Sequence, residues 1–193
     1  MTDPRTALLD ILARRSARRG QFTLASGRQS TLYIDARLTT MSPQGLTLIG
    51  PLGLDALRGS GWRVQSVGGL TLGADPVTYA ISYASALAGA ATSDGTPLRA
   101  FTVRKEPKGH GTGKLIEGTF EPGDRVAVIE DVITTGGSAL RAVDAVRAAG
   151  GEVAGVLALV DREEGGRETI EERAGLPVIA LCRASEIVAR MPG

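Results

Sequence analysis

Two apolar runs in this chain carry no polar alternation. Residues 126–129 read Val-Ala-Val-Ile, and residues 153–160 read Val-Ala-Gly-Val-Leu-Ala-Leu-Val. A strand with one wet face alternates. A strand buried on both faces does not, and such burial belongs to parallel sheets covered by helices. The intervening sequence agrees. Residues 137–149 place Leu140, Val143 and Val146 inward at helical spacing, with Gly150 as a C-terminal stop. Further strands are expected at 64–67, ending in Gly68-Gly69, at 98–103 and at 178–181. Helices are expected at 74–91 and 166–174. Such alternation implies an α/β fold, a mostly parallel sheet flanked by helices.

Ahead of that alternation, Asp3-Pro4 has the form of an N-cap and a first-turn proline. Leu8, Leu9, Ile11 and Leu12 follow at helical spacing. Arg14, Arg15, Arg18 and Arg19 are expected to close that helix before Gly20, where positive charge suits a helix C-terminus. Residues 22–24 and 32–34 suit two short strands about a Ser26-Gly27-Arg28 turn. Ser42-Pro43 opens a helix carrying Leu46, Ile49 and Leu57 that stops at Gly59-Ser60-Gly61. Residues 104–118 hold Gly109, Gly111, Gly113 and Gly118 with several cations and no apolar period, the pattern of a loop.

Composition narrows the function classes. Lys plus Arg is 22 and Asp plus Glu is 21, a formal net charge of +1. That balance argues against a general nucleic-acid binder. Aromatic residues are 4%, which leaves few stacking platforms for single strands. One cysteine excludes an intrachain disulfide and a cysteine zinc site. One histidine excludes a His-rich metal centre. Cys182 and Trp62 are expected to pack in the core. The uncharged stretch at 76–93 is long enough for a membrane span, but its Ala, Ser, Thr and Gly content suits a buried helix. No basic head and apolar core open the chain, so a soluble cytoplasmic protein is expected. The length suits one domain whose core needs no covalent staple.

The chemistry is concentrated in Glu130-Asp131-Val132-Ile133-Thr134-Thr135-Gly136-Gly137-Ser138, between the run at 126–129 and the next helix. Open α/β sheets bind ligands at the carboxyl ends of their strands. The Thr, Gly and Ser residues offer hydroxyls and backbone N–H groups at a helix N-terminus, a phosphate cradle. No Gly-Lys-Ser/Thr and no Gly-x-Gly-x-x-Gly is present. Two adjacent carboxylates would repel a bare phosphate. They suit a ligand with hydroxyls and a developing cation near its phosphate, as in a ribose 5-phosphate reacting at C1′. The alternative is a strand–turn–helix corner with two solvated acids. Nine consecutive positions that suit one ligand weigh against it.

Those nine residues resemble the PRPP-binding signature of the type I phosphoribosyltransferases. Residues 102–111, Thr-Val-Arg-Lys-Glu-Pro-Lys-Gly-His-Gly, resemble the mobile catalytic loop of the family's orotate branch. Residues 22–28 and 33–35 resemble its hood. The likeness spans nearly the whole chain. It implies a type I phosphoribosyltransferase fold, with residues 1–193 as one domain and 1–40 contributing a small N-terminal hood. It implies transfer of a phosphoribosyl group from PRPP to orotate, giving orotidine 5′-monophosphate and pyrophosphate in de novo pyrimidine (UMP) synthesis. PRPP contacts are implied for Arg104, Lys105, Lys108 and His110, and for Glu130, Asp131, Val132, Ile133, Thr134, Thr135, Gly136, Gly137 and Ser138. Thr134 and Arg162 are implied for orotate, and Lys105, His110 and Asp131 for catalysis. Mg²⁺ is expected through PRPP oxygens and waters, with no direct protein ligand. A homodimer whose lid loop is shared between subunits is implied. Neither nucleic acid nor a membrane is an expected partner.

The lid chemistry can be read without the family. A departing pyrophosphate gathers negative charge that Arg104, Lys105, Lys108 and His110 can neutralise. Glycines at 109, 111 and 113 suit a lid that closes on substrate and keeps water from C1′. Two departures from the family stand out. Ala25 replaces a lysine that many members carry, and Leu70-Thr71 replaces Tyr-Lys. The nearest rival readings are a transferase for a purine or uracil base and a non-catalytic PRPP-binding regulator. Such regulators usually add a DNA-binding domain, for which 193 residues leave no expected room, and the cationic lid argues for turnover.

Overall fold

The computed structural model describes residues 3–23, 29–89, 96–106 and 114–192. Helix α1 (Pro4–Ile11) begins at Asp3, whose carboxylate accepts the Thr6 N–H at 2.9 Å. A π-helical turn, Leu12–Ser16, leads into β1 (Ala17–Thr23). Arg18 and Arg19 therefore lie on a strand, not at a helix end. The apolar period ends at Leu12 and Ala13, and Ala17 is extended, so the chain pairs with β2 (Gln29–Ile34) instead. Arg18 stands opposite Tyr33 and Arg19 opposite Leu32 in this antiparallel hairpin. The turn at 26–28 expected between the strands, and Ala25, lie outside the described residues. The hairpin forms its own two-stranded sheet.

After a short α2 (Arg37–Thr40), α3 (Pro43–Ser60) starts and stops where the sequence signals it. Ser42 Oγ accepts the Gly45 N–H at 3.0 Å, and Gly61 ends the helix at φ 71°. Then follow β3 (Ser66–Leu70), α4 (Ala74–Leu87), β4 (Arg99–Val103), β5 (Ile116–Gly118) and β6 (Arg125–Ile133). The remaining elements are α5 (Gly137–Ala148), β7 (Glu152–Asp161), α6 (Gly166–Ala174), β8 (Val178–Arg183) and α7 (Ala184–Val188). Among the described residues the main sheet has the order β5-β4-β3-β6-β7-β8. Only β5, in a stretch expected to be loop throughout, runs antiparallel to its neighbour.

Several boundaries move. Gly68 and Gly69 lie inside β3 rather than ending a strand. A Cβ at Gly68 would stand 2.4 Å from the Phe101 ring, and one at Gly69 would stand 2.0 Å from the Ile129 carbonyl oxygen. The helix expected to 91 ends at Leu87. Strand β6 continues to Ile133, so Glu130 and Asp131 are strand residues. Neither β5 nor α7 carries a pattern that announces it.

Alternate strand residues serve two cores. Val126 and Val128 pack with Ala139, Val143 and Ile170 of α5 and α6. Ala127 and Ile129 pack with Leu8, Ile49, Val77 and Ile81 of α1, α3 and α4. Trp62 and Cys182 belong to that second core, as expected. The chain leaves β3 toward β4 on one side and returns as β6 on the other. The strand order reverses between them, which opens a crevice at their carboxyl ends. Among the described residues no helix is long and apolar enough to cross a membrane.

Candidate active site

A cleft of about 360 Å³ occupies that crevice. Its walls are residues 70–73 after β3, Glu130, Asp131, Val132, Thr134 and Ser138 around the end of β6, Lys105 beyond β4, and Arg162 beyond β7. The hood side is closed by Tyr33 to Arg37. A recess of about 80 Å³, lined by Glu130 and residues 132–138, continues the cleft to the start of α5. The volumes suit a small phosphorylated ligand.

The recess has the features of an anion site. No side chain caps α5, so its first-turn N–H groups are left for a ligand. Thr135, Gly137 and Ser138 are exposed there. Gly136 precedes the helix at φ 80°, and a Cβ on it would approach the Gly166 carbonyl oxygen to 2.7 Å. Glycine alone lets this turn close.

Because β6 continues through them, Glu130 and Asp131 leave the strand on opposite faces. Glu130 is buried, and its Oε2 has no hydrogen-bond partner. Burial first, and then the adjacent Asp131, push its carboxyl well above the ordinary carboxylate range. Asp131 Oδ1 accepts the Val132 N–H at 2.9 Å. Its carboxylate lies against Gly73, where an added Cβ would meet Oδ2 at 2.5 Å. The two acids are thus not equivalent: Glu130 is buried, and Asp131 is partly exposed on the wall of the cleft.

The cations divide. Lys105 lines the cleft, but Arg104 does not. Arg104 lies with Lys105, Leu115 and Asp144 on a neighbouring groove, and its Nη1 is 3.6 Å from Glu117. Lys108 and His110 lie outside the described residues. Arg162 is 7% exposed. Its Nη2 donates to Leu32 O at 3.1 Å and Ser30 Oγ at 3.2 Å in the hood, and to Glu164 Oε1 at 2.5 Å. Its Nε is buried with no partner. The family resemblance implies Arg162 at the site but not its tie to the hood. Asp35 and Arg37 pair side by side at 2.8 and 3.0 Å, and the guanidinium holds the Asp35 carboxyl below its usual range. Arg37, Leu72, Gly73 and Arg141 also line the cleft, and no motif marks them. The cluster of glycines before position 73 is the signal that close approach occurs there.

Among the described residues no group of three or more His, Cys, Asp or Glu could hold a metal alone. Glu130 and Asp131 are hard oxygen donors, and Glu130 Oε2 is unpartnered. They fit a Mg²⁺ completed by substrate oxygens and water.

No protein-family model matches the chain. It is 49% identical over 167 residues to the orotate phosphoribosyltransferase of Aquifex aeolicus (strain VF5), covering 86% of each chain. It is 45% identical over 188 residues to that of Bradyrhizobium sp. (strain BTAi1), covering 95% of this chain and 97% of the relative. Mycobacterium tuberculosis H37Rv orotate phosphoribosyltransferase, solved in complex with PRPP, superposes with a TM-score of 0.78 at 40% identity, covering 96% of this chain and 99% of that one.

Proposed function

The chain belongs to the orotate phosphoribosyltransferase family, and from that premise we propose how its residues share the reaction. The reaction transfers the 5-phosphoribosyl group of PRPP to orotate, giving orotidine 5′-monophosphate and pyrophosphate in pyrimidine biosynthesis. The C1′–O bond breaks, its electron pair leaves with pyrophosphate, and a ring nitrogen of orotate bonds to C1′ as its proton is released to solvent or to the departing pyrophosphate. One observation carries the assignment. The anion recess at α5, the acids 130 and 131, and Lys105 surround a single cleft at the β3/β6 crossing.

The 5-phosphate sits on the N-terminus of α5, held by residues 134–138. Asp131, held against Gly73, accepts the ribose hydroxyls and faces the positive charge that builds at C1′. Glu130 gives its unpartnered oxygen to the same sugar. Lys105 and the N–H groups of residues 72 and 73 receive the pyrophosphate. Arg104, Lys108 and His110 are proposed to complete that charge, with His110 as a proton donor. Arg162 and Thr134 hold the base, Arg162 through Nε, while its Nη2 secures the hood. The acids 130 and 131 would help hold a Mg²⁺ together with PRPP oxygens and water, and that ion would supply positive charge to the pyrophosphate. The enzyme is proposed to work in the cytoplasm as a homodimer with its lid loop serving the neighbour's site. Purified protein with Mg²⁺ and PRPP is offered orotate, uracil, adenine, hypoxanthine and xanthine in turn. Orotate alone should release pyrophosphate at a substantial rate, and faster turnover of any other base would overturn the assignment.

A further inference from the structure

Asp75, at the second position of α4, is buried, yet it carries a carboxylate that none of the assignments above uses. Both of its oxygens are engaged. Oδ2 accepts from Thr71 Oγ1 at 2.7 Å, and Oδ1 accepts from Thr102 Oγ1 at 2.8 Å. Thr71 is part of the 70–73 wall of the cleft. Thr102 lies near the end of β4, on the segment that delivers Lys105 to the opposite wall. A backbone bond from Thr71 N to Val103 O at 2.8 Å fastens the same two segments. Tyr79 OH lies 2.9 Å from Thr102 Oγ1. The one proton of Thr102 is committed to Asp75, so Tyr79 donates. The chain of bonds runs from a half-exposed tyrosine on α4 through Thr102 to Asp75, and Thr71 meets it from the other side.

We propose that Asp75 is a positioning residue that clamps the 70–73 loop to the strand that leads to Lys105, setting the pyrophosphate side of the cleft. A charged acceptor shared by two hydroxyls makes stronger and more directional bonds than a neutral one. Both segments it holds reach the cleft through other groups, so Asp75 acts on PRPP without touching it. The base side, at Thr134 and Arg162, hangs from β6 and β7 and lies outside the clamp. This inference rests on the phosphoribosyl-transfer reading of the cleft.

Asp75→Asn keeps the shape. Its amide turns a donor toward one threonine and breaks the order of donors and acceptors. A small misplacement of binding groups can cost about 10²-fold in rate. Initial rates with each substrate varied should therefore show kcat/KM for PRPP falling about 10- to 100-fold. The KM for orotate should stay within about twofold, and Tm should fall by only about 2–4 °C. Thr71→Val should show the same asymmetry, and the double variant should be no worse than Asp75→Asn, since both remove one path. Equal losses on both substrates, or activity lost only in proportion to Tm, would overturn the clamp in favour of a structural role. Wild-type kinetics in Asp75→Asn would overturn it too. Should Asp75→Asn fail to fold, Thr71→Val decides alone. A wild-type protein inert toward orotate and PRPP overturns the reading of the cleft itself, which the clamp experiment does not touch.

Discussion

Glu130 sits where an ionised acid is costly, and the cost has a pH signature. Burial favours the neutral carboxyl, so the folded chain holds that proton more tightly than the unfolded chain does. The group's contribution to stability is full below the ordinary carboxylate range and is lost as pH rises through the raised pKa. Glu130→Gln removes that dependence. In thermal melts without ligand, the variant should exceed the wild type in Tm, with a gap that widens from acid to neutral pH and levels off above the raised pKa. Its kcat should fall by about 10²-fold, because the glutamine cannot ionise when substrate binds and so cannot supply charge to the sugar. A gap that is flat across pH would place the proton elsewhere. Cys182 behaves oppositely in function: burial pushes its thiol up to about 12, which leaves it inert as a core residue. At this scale the sequence makes the acid pair legible by adjacency and composition. The inequality of the two acids is not legible, because it arises only once the strand runs through them and sends them to different faces.

Strand β7 shows the same limit at the level of elements. Its apolar run announces a doubly buried strand, and a strand forms there with residues 153–161 buried throughout. The run does not say why Gly155 interrupts it. The indole of Trp62 fills the space of the missing side chain, and a Cβ would lie 2.4 Å from the ring. Gly155→Ala should therefore lower stability by about 1–3 kcal/mol through overpacking, measured by urea unfolding. The folded fraction should keep wild-type kcat, since Trp62 and Gly155 do not line the cleft. An unchanged midpoint would mean that the ring moves aside freely. Hydrophobic patterning thus reveals where elements are, and fails where other demands shape their ends. Polar residues extend β6 because the site needs them on the sheet. Glycines occupy β3 because Phe101 and Ile129 press on it. Arginines enter β1 because the hairpin, not helix propensity, decides that segment.

The whole molecule is proposed to work as a dimer, and the placement of two adjacent cations bears on how. Lys105 lines both its own chain's cleft and the neighbouring groove, whereas Arg104 lies on that groove alone, beside Glu117. Beyond the end of β4 the chain bends at Lys105 and Glu106, so one chain can keep Lys105 at its own cleft while Arg104 turns to a neighbour. The lid cation Lys108 follows the same segment, and it separates a lid lesion from a cleft lesion more cleanly than Lys105 does. Lys108→Ala breaks the lid and keeps the cleft, and Asp131→Ala does the reverse. The two inactive variants are unfolded and refolded together, or co-expressed, so that subunits mix. If the lid acts in trans, each hybrid dimer has one wild-type site and one doubly damaged site. Random pairing makes about half of the dimers hybrid, so roughly a quarter of wild-type activity should return. If the lid acts in cis, every site in the hybrid keeps a lesion, and activity stays at background. Mass spectrometry of the mixture establishes that hybrids formed. Background activity in their presence would assign the lid to its own chain and require Arg104 to reach its own cleft on closure.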